Sequence, residues 1–145
     1  MADLNQIMRA LFFPLSNVVF FSQIHDPAQV KPTETPSTSS DPLTGVFGKW
    51  EAVENSALTL ADAAELLMIP GRKCSNGKDV PISNPDWAAM AAAVREGGKA
   101  AYEAAKTKNL DKMTEAADVL NVSCSTCHNR YRGRVRCEAP TNTKR

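Results

Sequence analysis

Two cysteines and a histidine stand together near the C-terminus, in the order Cys124-Ser125-Thr126-Cys127-His128. Two thiols three positions apart, followed at once by an imidazole, form the pattern that attaches a c-type haem: the thiols add to its vinyl groups and the histidine binds iron. On a helix, residues at i, i+3 and i+4 lie on one face, so all three side chains can address one flat macrocycle. The spacing predicts one covalent haem c, with His128 as an iron ligand.

Three other interpretations of this motif compete with haem. A zinc site needs a second pair of ligands at close spacing, and Cys74, Cys137 and His25 stand apart from one another in the chain. A thioredoxin-like redox pair sits between a strand and a helix, and no strand pattern precedes Cys124. The third interpretation is a plain structural disulfide or a chance occurrence. Haem is the hypothesis that the rest of the sequence is tested against.

Four segments show the apolar spacing of amphipathic helices, with alternating steps of three and four residues. They run from about Asp3 to Phe21, from Pro42 to Pro70, from Pro85 to Ala105 and from Asn109 to Gly133. Pro14 should bend the first of them. Without strand patterns, four such helices imply an all-α fold, an antiparallel four-helix bundle of up-down-up-down topology. Residues 27–42 are predicted as a flexible loop rich in Pro, Ser and Thr, and residues 134–145 as a polar tail.

Length and charge exclude several classes of protein. A chain of 145 residues fits one domain, 1–145, and a formal net charge of +1 gives no case for nucleic-acid binding. The longest apolar stretch, from residue 11 to residue 21, is interrupted by Pro14, Ser16 and Asn17. We therefore expect no transmembrane segment.

Covalent haem attachment takes place outside the cytoplasm, which bears on the compartment. The first residues lack the basic flank of a signal peptide. Because the predicted haem nonetheless requires export, we expect a periplasmic protein whose signal is absent from this chain. In an oxidising compartment the two remaining cysteines, Cys74 and Cys137, are expected to form a disulfide, with two free thiols as the alternative.

The topology sorts the candidates for the second iron ligand. In an up-down-up-down bundle the start of helix 1, the end of helix 2, the start of helix 3 and the end of helix 4 share one end, where His128 lies. His25 and Met113 belong to the opposite end. Met8 is the expected sixth ligand because it lies on the buried stripe of helix 1 at the depth of His128; the alternative is that it only packs against haem. The methionines at the haem end are Met8, Met68 and Met90.

Basic and aromatic side chains gather at the same end. Trp87, Arg9 and Arg72 belong there, and a cluster of cations follows from the chain order. These cations either hold haem propionates, or dock acidic redox partner proteins, or stay solvated at a helix C-terminus. The cluster comprises Arg72, Lys73, Arg130, Arg132, Arg134 and Arg136.

The C-terminal motif and the four helices resemble the class II cytochromes c, the bundle family that includes cytochrome c′ and its low-spin relatives. The ending Cys124-x-x-Cys127-His128-x-x-Tyr131-Arg132 matches the family's ending residue by residue. The resemblance implies His128 as the proximal iron ligand. It also adds Tyr131 and Arg132 to the haem-binding residues, with Arg132 near the ligand or near a propionate.

The resemblance implies two functional branches. Members with a methionine on helix 1 are six-coordinate electron carriers, whereas cytochromes c′ place an apolar residue over the iron and bind nitric oxide or carbon monoxide. The cytochrome c′ spacing of an arginine four residues before the distal side chain leads here from Arg9 to Phe13, not to Met8.

We predict a periplasmic one-electron carrier with haem ligated by His128 and Met8, because methionine ligation leaves no open site and raises the reduction potential. The alternative is a five-coordinate protein that binds nitric oxide or carbon monoxide, with Phe12 or Phe13 over the iron. An enzyme is not expected, since no distal His or carboxylate is available for acid–base work. Redox proteins are the expected partners. The candidates for a homodimer contact are Phe20, Phe21 and Phe47.

Overall fold

The computed structural model describes residues 1–133, 137 and 138. These residues form four long helices and no strand, apart from an isolated β-bridge between Lys73 and Asp79. The all-α fold class is thus confirmed for this part of the chain, and most of the predicted polar tail at 134–145 lies outside it. The helices are α1 (Leu4–Phe21), α2 (Lys49–Ala63), α3 (Pro85–Lys106) and α4 (Leu110–Tyr131).

Helix α1 changes its winding ahead of its proline. It is π-helical over Met8–Phe12 and α-helical on either side, over Leu4–Ile7 and Phe13–Phe21. Pro14 lacks the N–H that would bond to the carbonyl four residues earlier, and its ring crowds that carbonyl. The sequence predicted a bend at Pro14. In the structure, the wider π turn before it makes room for the proline ring. Short π segments are frequent at functional sites, and this one begins at the predicted iron ligand.

Helix α2 begins later than the sequence predicted. Asp41 accepts a hydrogen bond from the Leu43 N–H at 3.0 Å, but the turn that it caps is the short 3-10 segment Pro42–Thr44. The long helix starts only after Gly48, where a Cβ would collide with the Leu43 carbonyl. Glycine is disfavoured in a helix interior, so the chain breaks there.

The predicted loop at residues 27–42 contains ordered turns. Each begins at a proline, whose fixed φ angle suits the first position of a helical turn. The buried side chains of Pro27 and Leu43 attach this connection to the body of the protein. The turns within or overlapping the loop are Pro27–Gln29, Pro36–Thr38 and Pro42–Thr44.

Hydrogen bonds bring four helix termini to one end of the molecule. They link the start of α1 to the segment after α2, the start of α3 to the 3-10 turn Ala64–Met68 that follows α2, and the start of α3 to the end of α4. This is the arrangement that the argument from topology required. The bonds are Leu4 N to Lys73 O (2.8 Å), Trp87 Nε1 to Leu67 O (3.1 Å) and Arg130 Nε to Asp86 Oδ2 (3.0 Å).

Two adjacent glycines allow α3 to approach its neighbours closely. A Cβ at Gly98 would lie 2.8 Å from Ala61 N and 2.9 Å from Ala57 O in α2, and one at Gly97 would lie 3.1 Å from Leu120 Cα in α4. Each glycine costs about 1 kcal/mol relative to alanine in a helix interior. The close approach of the backbones explains why that cost is tolerated here.

Helix α1 is the one described helix that is long and apolar enough, by length and composition alone, to cross a membrane. Buried helices of soluble proteins and signal sequences pass the same test. In this structure α1 packs on α2, with Phe12, Val18 and Val19 buried in the main core. Of the three phenylalanines named for a subunit contact, Phe20 and Phe21 are partly buried against that core, and Phe47 is 66% exposed.

Cys74 and Cys137 are joined by a disulfide, as expected, with their Cα atoms 6.4 Å apart. Both are buried, in a small cluster that also contains Val80, Trp87 and Tyr131. The bridge ties the segment after α4 to the segment after α2, across 63 positions of sequence.

We expect Gly98→Ala to destabilise the protein. Overpacking costs about 1–3 kcal/mol, and the gain in helix propensity returns about 1 kcal/mol. The atoms in the way belong to the backbone of α2 and cannot rotate aside, so overpacking should win. Denaturant unfolding should show a net loss of up to about 2 kcal/mol. Gly45→Ala is the control, because its Cβ would have ordinary contacts of 3.6 Å or more. A Gly98→Ala protein as stable as the parent would contradict the close contact.

Replacing both Cys74 and Cys137 by serine should lower the free energy of unfolding by about 4 kcal/mol, the chain-entropy value for a loop of this length. Denaturant titration of the parent under non-reducing and reducing conditions measures the same quantity. The double variant is the control for reduction: a reductant should leave its unfolding curve unchanged. Equal stability of parent and variant would show that the bridge does not constrain the unfolded chain.

Candidate functional site

The motif lies in the last two turns of α4. The helix starts cleanly, because the Asn109 side chain accepts a hydrogen bond from the Lys112 N–H at 2.9 Å. It then runs without interruption to Tyr131. Cys124 and Cys127 are partly buried free thiols, and His128 follows them on the same side of the helix.

Cys127 and His128 line two cavities, one of about 280 Å³ and one of about 80 Å³, while Thr126 faces a third cavity on the other side of α4, which Asp86 and Met90 also line. Four residues line both of the first two cavities: Met8, Leu67, Cys127 and His128. The shared lining means that the imidazole, one thiol and the α1 methionine all border the same interior space. Together the cavities approach the size of a small-molecule binding site.

The larger cavity lies between α1 and α4. Helix α1 packs closely on α2 but touches α4 only lightly, so the two outer helices leave a gap. Phe12, Phe13 and Phe20 line the gap from α1, and Cys124 lines it from α4. An apolar wall of this kind suits the flat faces of a macrocycle. The polar members of the lining, apart from the motif, are Ser16, Asn17, Asn121 and Ser125.

The smaller cavity is bordered by the disulfide and by two packed rings. Cys74 and Cys137 contribute to its lining, together with Trp87, Tyr131 and Arg132. The two rings meet edge to face, with centroids 4.9 Å apart and an interplanar angle of 74°. The disulfide therefore closes the end of the site and belongs to its wall.

Seven of the nine predicted site residues line at least one cavity. These are Cys124, Cys127, His128, Met8, Trp87, Tyr131 and Arg132. Arg9 is exposed beside Met8 and lines neither cavity.

Arg72 lines neither cavity. Its side chain is buried: Nε donates to Leu66 O at 3.0 Å, and the guanidinium also bonds to Ala2 O. Both hydrogen bonds are internal and link the N-terminus to the end of α2. The guanidinium is therefore a structural tie here, where the sequence suggested a contact with a propionate.

The other candidate iron ligands lie away from the cavities. Met113 is fully buried in the core, and His25 is exposed and stacked on Phe21 with centroids 4.6 Å apart. Met68 and Met90 are partly buried and line neither cavity that His128 borders. Met8 is thus the one methionine of the described chain that borders the same space as His128.

Sequence reasoning missed a polar cluster behind the motif. The Tyr131 hydroxyl donates to Asp86 Oδ1 at 2.6 Å and accepts from Asn84 Nδ2 at 3.3 Å. Arg130 donates to the same carboxylate. The sequence signal was Asp86 in the first turn of α3. An acidic residue is usual at that position because it complements the helix dipole, so it did not indicate a cluster. The partners of that acid on α4 are more than forty residues away and could not be read from spacing.

Burial shifts the titration of all three motif residues. It raises the pKa of the Cys124 thiol, and it raises that of Cys127 to about 11, with the nearby Cys124 and Asp86 as smaller contributors. Burial also lowers the pKa of His128, aided by the positive charge of Arg132. At neutral pH the site therefore holds protonated thiols and a neutral imidazole, whose lone pair is free to bind a metal.

The raised pKa values weaken the redox interpretation of the motif, because redox-active cysteines act as thiolates of lowered pKa. In the described part of the chain, no group of three or more His, Cys, Asp or Glu side chains could hold a metal ion. No strand precedes the motif there, and Cys124 and Cys127 are not bonded to each other.

Comparison of the chain with protein-family models, with curated proteins and with solved structures finds no match. The case for a function therefore rests on the site.

We expect Cys127 to be slow to react with an alkylating agent. The measurement uses the full chain with Cys124→Ser, made without haem, so that Cys127 is its one free thiol. A pKa of about 11 instead of 9.0 lowers the thiolate fraction at pH 8, and hence the rate with iodoacetamide, by about 100-fold. The same chain in denaturant is the control. Similar rates in the two states would show that the thiol is not buried.

Proposed function

We propose that the protein is a class II c-type cytochrome of the periplasm, an antiparallel four-helix bundle that holds one covalent haem c and carries single electrons between redox proteins. One observation carries the proposal: Met8 of α1 and His128 of α4 border the same two cavities, with Cys127 beside the histidine. The shared end of the four helices supports the bundle topology, because each helix must reverse the direction of the one before it.

The motif residues fit the chemistry of haem attachment. Cys124 and Cys127 line the larger cavity from one helix and would each form a thioether bond with a vinyl group. A thioether carries no charge, so forming it buries no negative charge in this partly buried site, where burial raises the pKa of both thiols. The neutral His128 would bind iron through a ring nitrogen without first losing a proton.

Met8 fits the position of a second axial ligand. The π-helical segment that starts at this residue lies on the wall of both cavities. When bound, haem would supply a one-electron couple of iron, and a His/Met ligand pair favours a raised reduction potential. The thioether of Met8 would complete the coordination, and the apolar side chains around it, such as Phe12 and Leu67, would keep water out.

The lining supports a carrier in preference to an enzyme. No carboxylate is among the described residues that line either cavity, and the one imidazole there, His128, would be occupied by iron, so neither is left for general acid–base catalysis. Arg132 lines the smaller cavity and is exposed, and Arg9 is exposed nearby in sequence to Met8. These two cations would offer an acidic redox partner a docking surface beside the site.

A second candidate function has one specific observation in its favour. Phe13 stands four residues after Arg9, the spacing found in cytochromes c′, and it lines the larger cavity together with Met8. If Phe13 covered the iron, the haem would be five-coordinate and would bind nitric oxide or carbon monoxide.

Optical spectra separate the two functions. Protein made in a host that matures c-type cytochromes should carry one haem by mass, and its reduced form should give a low-spin spectrum that carbon monoxide does not change. Met8→Ala should make the reduced protein high-spin and sensitive to the gas. Met90→Ala is the control, because Met90 lines neither cavity that His128 borders. A mass without added haem would end the proposal, and a gas-sensitive parent would favour the second candidate.

A further inference from the structure

A polar cluster lies behind the haem motif, where the end of α4 meets the start of α3. Asp86 lies in the first turn of α3, and Tyr131 in the last turn of α4, one turn beyond Cys127. The hydroxyl–carboxylate bond of 2.6 Å between them is short, as expected for a bond to a charged acceptor. It spans 45 positions of sequence and links two helix termini.

The Asp86–Tyr131 pair has three further partners: Asn84, Trp87 and Arg130. Arg130 Nε donates to the other carboxylate oxygen of Asp86 at 3.0 Å, and the Asn84 amide donates to the Tyr131 hydroxyl. Trp87, next to Asp86, packs edge to face on Tyr131 and donates to the Leu67 carbonyl of the segment after α2. The final turn of α4 is therefore held from two directions, by α3 and through Trp87 by the end of α2.

The residues that fix the last turn of α4 lie beside the motif. Tyr131 and Trp87 line the smaller cavity beside Cys127 and His128. A helix terminus frays unless something fixes it, and the motif lies within two turns of the end of α4. The Asp86 carboxylate lies one hydrogen bond behind Tyr131, so its negative charge stands directly behind the wall of the cavity that Cys127 and His128 line.

We propose that Asp86 is a positioning residue: through Tyr131 and Arg130 it fixes the last turn of α4 so that Cys127 and His128 face the cavity, and its charge sets the potential felt there. The inference rests on the proposed function for its effect on iron. Its effect on the helix holds for the full chain without haem. The carboxylate touches neither the cavity nor the cofactor site, and it works through its neighbours.

The first test needs no haem. In the full chain with Cys124→Ser, Tyr131→Phe removes the bond to Asp86 but keeps the charge, and Asp86→Asn alters both. Both changes should raise the rate of iodoacetamide reaction at Cys127 at least fivefold at pH 8, with the larger rise for Asp86→Asn. Asp62→Asn, at an exposed carboxylate of α2 that lines neither cavity, should leave the rate unchanged. Circular dichroism confirms that each variant is folded. Parent rates in both Asp86→Asn and Tyr131→Phe would overturn the positioning role.

The second test uses the haem-loaded protein. Removing a negative charge near the iron should disfavour the ferric state, so the midpoint potential should move positive in Asp86→Asn and stay at the parent value in Asp62→Asn. An unchanged potential in Asp86→Asn would overturn the electrostatic role. Absence of covalent haem in the parent would instead contradict the proposed function, and the alkylation result would stand independently.

Discussion

The site depends on a gap between the first and the last helix. Helix α1 packs on α2 through its second half, Phe13–Phe21, and Gln23, just beyond its end, donates from Nε2 to Asp118 Oδ1 of α4 at 2.7 Å. Beside the motif the two outer helices separate, and the aromatic side chains of α1 line the opening. The cavity of about 280 Å³ between them borders Met8, Cys127 and His128, the three side chains on which the proposed function depends.

Tight packing among α2, α3 and α4 offsets the packing that is lost at this gap. Small residues let α3 pack tightly on both α2 and α4, with backbones in contact at Gly97 and Gly98. Leu60, Met113 and Leu120 are fully buried in the same three-helix body. Burial of each such side chain contributes about 1.5–3 kcal/mol. Helices α2, α3 and α4 can thus form a stable frame while α1 stands partly apart.

The proximity of Met8 and His128 could be predicted from the sequence, whereas the surroundings of these residues could not. The spacing within the motif places its three side chains on one face of a helix. The periodicity of the helices and their order in the chain predict that Met8 and His128 lie at the same end. Those inferences depend on local spacing and on topology. The partners of Arg72 could not be read from the sequence, because a guanidinium at that end of the molecule can bind either a cofactor or a backbone carbonyl, and only the fold decides which is nearer. The start of α2 was misjudged because the Asp41-Pro42 cap is local, while the break at Gly48 depends on the Leu43 carbonyl.

The four cysteines show how one fold separates two kinds of sulfur chemistry. Cys74 and Cys137 leave adjoining loops and meet in a buried disulfide, where they strengthen the end of the bundle. Cys124 and Cys127 lie three positions apart on one helix and are both free thiols. Cys127 and the disulfide line the same small cavity, where a thiolate could attack the bridge. The raised pKa values of both thiols slow such an exchange, because the attacking species is the thiolate.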